Sequence, residues 1–226
     1  PGTSLLLISP TTTLGRELLL RLTFVGFEVT AYVPAGDAGR TGEFACRLAH
    51  DANDCSAAES SAGVVVEAAA EDGRSVLVRR AGDDVRRFPH PPLIGDVVER
   101  VRRARWLDLL RDPWHGLALP VVHEREVAQA VVDALLRDQP GTELGGPEAL
   151  TWRAVSVAVL SADGRSFPWR LLAGRWPEPG DPDPSLAAMA CCSRVGRRTL
   201  ADTLRRRDTA VPRPAANDAT GAVSIP

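Results

Sequence analysis

No lysine occurs anywhere in the 226 residues, so all 27 cationic side chains are arginine. That excludes Schiff-base and other lysine-amine chemistry. Tyrosine is almost as scarce, with Tyr32 alone, and aromatic residues make up only 5% of the chain. The four cysteines, Cys46, Cys55, Cys191 and Cys192, show no C-x-x-C spacing. They read as buried or incidental thiols rather than as zinc ligands or a redox pair. No apolar run approaches the roughly 18 residues of a membrane span, and the first ten residues lack a basic targeting region. The expectation is a cytoplasmic protein with no membrane partner. The 27 arginines face 29 Asp plus Glu for a formal charge of -2, which removes the electrostatic case for nucleic acid as a partner.

What is present is ordinary globular composition, 44% hydrophobic and 25% charged. The length suits one sizeable domain, alone or with a small appendage. Ser4 to Ser9 is an apolar strand closed by Pro10, and Leu14, Leu18, Leu19, Leu22 and Val25 recur at helical spacing up to Gly26. Phe27 to Val33 alternates as a second strand, which completes a βαβ unit and predicts a parallel sheet. From Gly36 to Ser61 the pattern is weak, and irregular structure is expected with at most one short helix near Glu43 to His50. Gly63 to Ala69, Ser75 to Arg80 and Trp106 to Leu110 read as further strands. Val97, Val98, Val101 and Ala104 line one side of a helix. A strand at Val121-Val122 leads into a helix from about Glu124 to Leu136. Later come a short strand around Thr142 to Leu144, a helix from about Leu150 to Leu160, an extended piece near Ser166 to Leu172 and a helix from Arg194 to Arg207. The tail from Asp208 to Pro226 is expected to be disordered. The alternation of strands and helices predicts an α/β fold with a doubly wound parallel sheet.

Leu6-Leu7-Ile8-Ser9-Pro10-Thr11-Thr12-Thr13-Leu14-Gly15 resembles the opening of the atypical short-chain dehydrogenase/reductases, in particular their NmrA-like NAD(P)-binding group. Leu109-Leu110-Arg111-Asp112-Pro113, Val121 to Ala128 and Leu144-Gly145-Gly146-Pro147-Glu148-Ala149-Leu150-Thr151 are similar to later landmarks of the same group. The resemblance implies a Rossmann-like domain over residues 1–140, a small α+β substrate-side region over 141–207, and NAD(P) as cofactor. It implies that Ser9, Thr11, Thr12, Thr13, Leu14 and Gly15 form the cofactor turn. The departures are specific. Ser9 and Thr12 stand where the group's first two glycines belong, and only Gly15, whose role is close helix packing, is in place. The Tyr and Lys that act on the substrate carbonyl in this superfamily are both missing from the aligned stretch His90 to Gly95. NAD(P) use is therefore expected to be weakened or lost, although threonine hydroxyls and helix-start amides retain the means to hold an anion.

Ligands of open α/β sheets sit outside the carboxyl ends of the strands. That rule gathers Ser9 to Leu14, Val33 to Asp37, Ala69 to Gly73, Arg79 to His90 and Arg111 to Leu119 around one crevice. Within it His115 and Asp112, three residues apart in Asp112-Pro113-Trp114-His115, suit a general base and its orienter, and His90 is a further acid–base candidate. The alternative is that Trp114 packs under the loop, His115 stays in solvent and His90 is an ordinary loop residue. Arg79, Arg80, Arg111 and Trp114 are the candidate substrate contacts. His123-Glu124-Arg125-Glu126 lacks the H-E-x-x-H zinc spacing and reads as a helix cap, so no metal site is expected.

Two functions follow. One is a divergent enzyme acting on a small organic substrate, such as a secondary metabolite, either by acid–base chemistry (cyclisation, isomerisation or dehydration) or as an NAD(P)H-dependent oxidoreductase. The other is a non-catalytic NmrA-like sensor or partner subunit. A homodimer or a pairing with a paralogue is the expected association.

Overall fold

The computed structural model describes residues 3–33, 47–49, 52–80, 84–105, 118–165, 194–195 and 197–207. At its centre is β1 (Ser4–Ile8), whose Leu5, Leu6 and Leu7 are fully buried. An unbroken apolar run of this kind belongs to a strand covered on both faces. β1 pairs in parallel with β2 (Glu28–Tyr32) on one side and β4 (Val64–Ala69) on the other, with Leu6 opposite Thr30 and Val65. β3 (Arg47–Ala49) adds in parallel to β2. The order of the parallel strands is therefore β3-β2-β1-β4, the first half of a Rossmann-like sheet.

The connection from β1 to β2 is helix α1 (Thr13–Val25), which buries Leu14, Leu18, Leu19 and Leu22 and stops at Gly26 in the left-handed conformation. Helix α2 (Ala52–Ser61) packs against β1 and β3. Among the described residues, the weakly patterned stretch from Gly36 to Ser61 holds a strand and a ten-residue helix at Ala52–Ser61, where at most one short helix near Glu43 to His50 was expected. β3 is too short to show a period, and α2 is built mostly from Ala and Ser, with Asn53, Asp54, Cys55 and Glu59, and has no apolar stripe.

Beyond β4 the pairing turns antiparallel. A single turn, α3 (Ala70–Gly73), returns the chain as β5 (Ser75–Arg80), antiparallel to β4, and β6 (Asp84–Pro89) pairs antiparallel to β5. The sheet is mixed, with order β3-β2-β1-β4-β5-β6. β6 went unread in the sequence because it is an edge strand on which only Phe88 is buried.

Two cores result. One face of the sheet packs Leu5, Leu7, Val66 and Val76 against α1 and α5 (Glu124–Arg137). A second core joins α4 (Ile94–Arg103), α6 (Trp152–Ala162) and α7 (Leu200–Arg207) around the fully buried Trp152. Two small sheets accompany it. β7 (Ala118–Val121) pairs antiparallel with β9 (Glu148–Thr151), and β8 (Leu144–Gly145) pairs in parallel with β10 (Arg194–Val195). The helix expected from Leu150 begins at Trp152, after the Thr151 hydroxyl caps the Ala154 amide. The one expected from Arg194 begins at Leu200, where Thr199 and Asp202 cap each other's amides. The expected strand Trp106 to Leu110, the extended piece Ser166 to Leu172 and the tail from Asp208 lie outside the described residues. No described helix is long and apolar enough to cross a membrane.

Candidate functional site

The turn after β1 adopts a backbone that its residues do not suggest. Ser9, at the first glycine position, has φ of 61°, the left-handed conformation that glycine adopts without strain. Gly15 is indispensable for packing, since a Cβ there would lie 2.1 Å from the Ser9 carbonyl oxygen and 2.8 Å from Pro10 Cα. Thr12, at the second glycine position, is the N-cap of α1. Its hydroxyl donates to the Ser9 carbonyl (2.9 Å) and accepts from the Gly15 amide (3.0 Å). The side chain that replaces glycine is thus occupied in closing the turn.

Three helix N-termini meet beside this turn. Thr13 opens α1, Gly95 sits in the first turn of α4, and Glu124 opens α5. Their closeness is set by Gly95, where a Cβ would lie 2.9 Å from Thr13 Cγ2 and 3.3 Å from Glu124 Cδ. Each helix start carries partial positive charge, so the junction calls for anions. The chain supplies them from its own side chains. The Thr13 hydroxyl donates to Asp96 Oδ1 (2.8 Å), and the Gly95 amide donates to Glu124 Oε2 (3.3 Å), replacing the cap that Leu93 cannot provide. Burial, with Glu17 and Asp96 close by, pushes the Glu124 carboxyl above its ordinary range. His123 caps α5 by accepting from the Arg125 amide at 3.2 Å, in line with the helix-cap reading of His123 to Glu126.

A cavity of about 710 Å³ opens at this junction, between the end of β1 and the end of β4, where the strand order reverses. Thr11, Thr12, Thr13 and Leu14 form one wall, Ala68 and Ala69 the floor, and Asp96, Glu99, Arg100 and Arg103 the other wall. The last four fall at helical spacing on α4, on the side away from the buried Val97, Val98 and Val101. Asp96 stands at the inner end beside α1, and Arg103 about two turns further out.

The residues at the start of α1 do not suit a dinucleotide pyrophosphate, although Arg100 and Arg103 on the facing wall would attract one. Ser9 and Gly15 give the turn its shape, but Asp96 is already bonded to Thr13 at the helix start where the phosphates would sit. A phosphate charge at roughly 6 Å from a carboxylate is opposed by about 1 to 3 kcal/mol, between aqueous and protein-surface screening.

Of the other expected site residues, Thr11, Thr12, Thr13 and Leu14 line the cavity, whereas Ser9 and Gly15 shape its turn from within. His90 follows β6 at this same edge but is fully buried. Its Nδ1 lies 2.9 Å from the Pro91 carbonyl, and Nε2 meets no hydrogen-bond partner among the described residues. Burial depresses the His90 pKa, which favours the neutral ring. Arg79 and Arg80 are not at this edge. Because β5 runs antiparallel, they pair with Val65 and Val64 at the start of β4, on the far side of the sheet. There Arg79 contacts Glu59 (3.1 Å), and Arg80 binds Asp138 and the Leu135 carbonyl. The crevice expected from the strand ends therefore excludes both, since that rule assumed parallel strands. Arg111, Asp112, Trp114 and His115 lie outside the described residues. Asp96, Glu99, Arg100, Arg103 and Glu124 were not anticipated. The available signal was the charged stripe opposite the valine stripe of α4. Among the described residues no three His, Cys, Asp or Glu side chains are grouped to hold a metal.

No family model matches the chain, and no curated protein matches it in sequence. Solved structures do share its outline. One is a UDP-N-acetylglucosamine 4-epimerase from Bacillus cereus, 11% identical, with a TM-score of 0.47 over 91% of this chain and 97% of that one. A second, from Methylobacillus flagellatus, is described as an NAD-dependent epimerase/dehydratase and is 9% identical, with a TM-score of 0.48 over 92% of each chain. A third, described as an epimerase from Burkholderia cenocepacia, is 15% identical, with a TM-score of 0.44 over 91% of each. At this distance none of them bears on activity.

Proposed function

We propose that this chain is an enzyme descended from the short-chain reductase lineage that binds a small organic molecule in the β1/β4 crevice and transforms it by acid–base chemistry, without a hydride from NAD(P)H. The observation that carries this reading is the Thr13–Asp96 hydrogen bond at the start of α1, which gives the cofactor's phosphate position to a carboxylate. The missing Lys and the single, misplaced Tyr32 support the same conclusion, since no side chain remains to act on a carbonyl in the usual way. His115 and Asp112 are the proposed base and its orienter, and a cyclisation, isomerisation or dehydration is the reaction class that two such groups can run. Ser9 in the left-handed conformation and the packed Gly15 favour a second reading, a chain that still binds NAD(P)H as an oxidoreductase or a sensor.

Calorimetric titration of the full chain with NADH and NADPH separates the two. No saturation below about 1 mM is expected, a free energy weaker than about 4 kcal/mol. Micromolar binding of either nucleotide would remove the first reading in favour of the second.

A further inference from the structure

We propose that Asp96 is the residue that excludes phosphate from the crevice, acting as a built-in anion at the junction of three helix N-termini. The proposal rests on the reading of the crevice as a site without a dinucleotide. It adds the side chain responsible and the class of ligand admitted, molecules that are neutral or cationic where they approach α1.

The argument is geometric. The starts of α1, α4 and α5 converge at Thr13, Gly95 and Glu124, and Gly95 lacks the Cβ that would hold them apart. Such a junction attracts negative charge more strongly than one helix start does. Of the two carboxylates that answer it, Glu124 is buried and bonded to the Gly95 amide, so it belongs to the interior. Asp96 is different. It lines the cavity together with Thr11, Thr12 and Thr13, and the Thr13 hydroxyl fixes Oδ1 at 2.8 Å. A phosphate that passes Arg103 and Arg100 on the same wall and reaches the α1 amides comes to lie beside that carboxylate. Glu99 lies one turn further along the same wall and contacts Arg102 (3.7 Å) and Arg103 (3.8 Å), so its charge is partly offset. Position along the wall, rather than total charge, makes Asp96 the selective group.

The test compares native chain, Asp96→Asn and Glu99→Gln, titrated by calorimetry with inorganic pyrophosphate and separately with NADH. Asp96→Asn still accepts from the Thr13 hydroxyl and removes only the charge. It is expected to bind pyrophosphate at least about tenfold more tightly than the native chain, as removal of a juxtaposed like charge predicts. Glu99→Gln changes the net charge equally and is expected to stay within about twofold of native, as a partly offset charge predicts. Asp96→Ser runs in parallel, with thermal melts to verify folding. Equal affinities for native and Asp96→Asn, or an equal gain in Glu99→Gln, overturns the proposal. If the native chain leaves NADH unbound in those cases, the proposed function still stands. Native chain that saturates with micromolar NADH overturns both.

Discussion

At the edge of the main sheet where β5 ends, Arg80 and Arg86 share the carboxylate of Asp138, and each also donates to a carbonyl at the end of α5, Arg80 to Leu135 (3.0 Å) and Arg86 to Gln139 (2.8 Å). At the opposite edge, where β1 ends, Asp96 and Glu124 gather at the starts of three helices with Glu17 nearby. Both arrangements obey the helix dipole, with cations at a C-terminus and anions at N-termini. They differ in what completes them. Around the cavity of about 540 Å³ at the first edge, Asp138 and Asp84 both pair with Arg86, so opposite charges meet directly. At the second edge Glu17 is paired with Arg125 (3.0 Å), but Asp96 and Glu124 are held by the Thr13 hydroxyl and the Gly95 amide, groups that a ligand's own polar atoms can replace. The first edge is a clasp and the second borders an open cavity, although the first holds Arg80, which the sequence marked for substrate.

The largest break in this contrast is expected from Gly15→Ala. Its Cβ would press on backbone atoms of Ser9 and Pro10, which cannot swing away, so a loss of about 3 kcal/mol is expected. Chemical denaturation should show a lower midpoint with unchanged slope, and an intact midpoint would mean that α1 is free to slide. Asp138→Asn tests the clasp. Asparagine tolerates the left-handed backbone at this position (φ of 53°), so only the charge is lost. A small fall in Tm at low salt is expected, shrinking in molar salt because the group is exposed. The Arg86 and Arg80 guanidiniums hold the Asp138 carboxyl below its usual range. A depressed folded pKa gives stability that is present above the unfolded value of about 3.9 and is lost as the pH falls through the folded one. The variant should therefore lose less stability than the native chain in that acid window, and parallel curves would dismiss the clasp. The smallest effect is expected from Ser9→Gly, which relieves left-handed strain while adding freedom to the unfolded chain. A net gain of up to about 1 kcal/mol by thermal melting is expected, and a loss would show that the Ser9 side chain matters more than its backbone.

The parts of the fold that were legible are those with many buried apolar residues at a regular spacing. Leu14, Leu18, Leu19 and Leu22 announced α1, and Val127, Ala128, Val131 and Val132 announced α5, which spans Glu124–Arg137 against an expected end near Leu136. The unbroken run Leu5-Leu6-Leu7 marked the central strand. β3, α2 and β6 were illegible for the opposite reason, because each puts little apolar surface into either core. The direction of β5 was invisible as well. Its own residues fit a parallel or an antiparallel neighbour equally, and the four-residue α3 that leads into it is what makes a parallel crossover impossible.

For the site, the sequence located the turn and identified which glycines were missing. It could not show that Ser9 adopts the glycine conformation, that Thr12 turns its hydroxyl inward, or that Asp96 meets Thr13 from 83 residues away. The sequence by itself determined the α/β class, the main helices and the absence of lysine chemistry, because periodicity and composition are properties of the chain. Only the tertiary structure decided which edge holds the crevice and which carboxylate lies beside α1. Those depend on strand direction and on the meeting of three helix starts, and no local pattern encodes an electrostatic neighbour that distant in the chain.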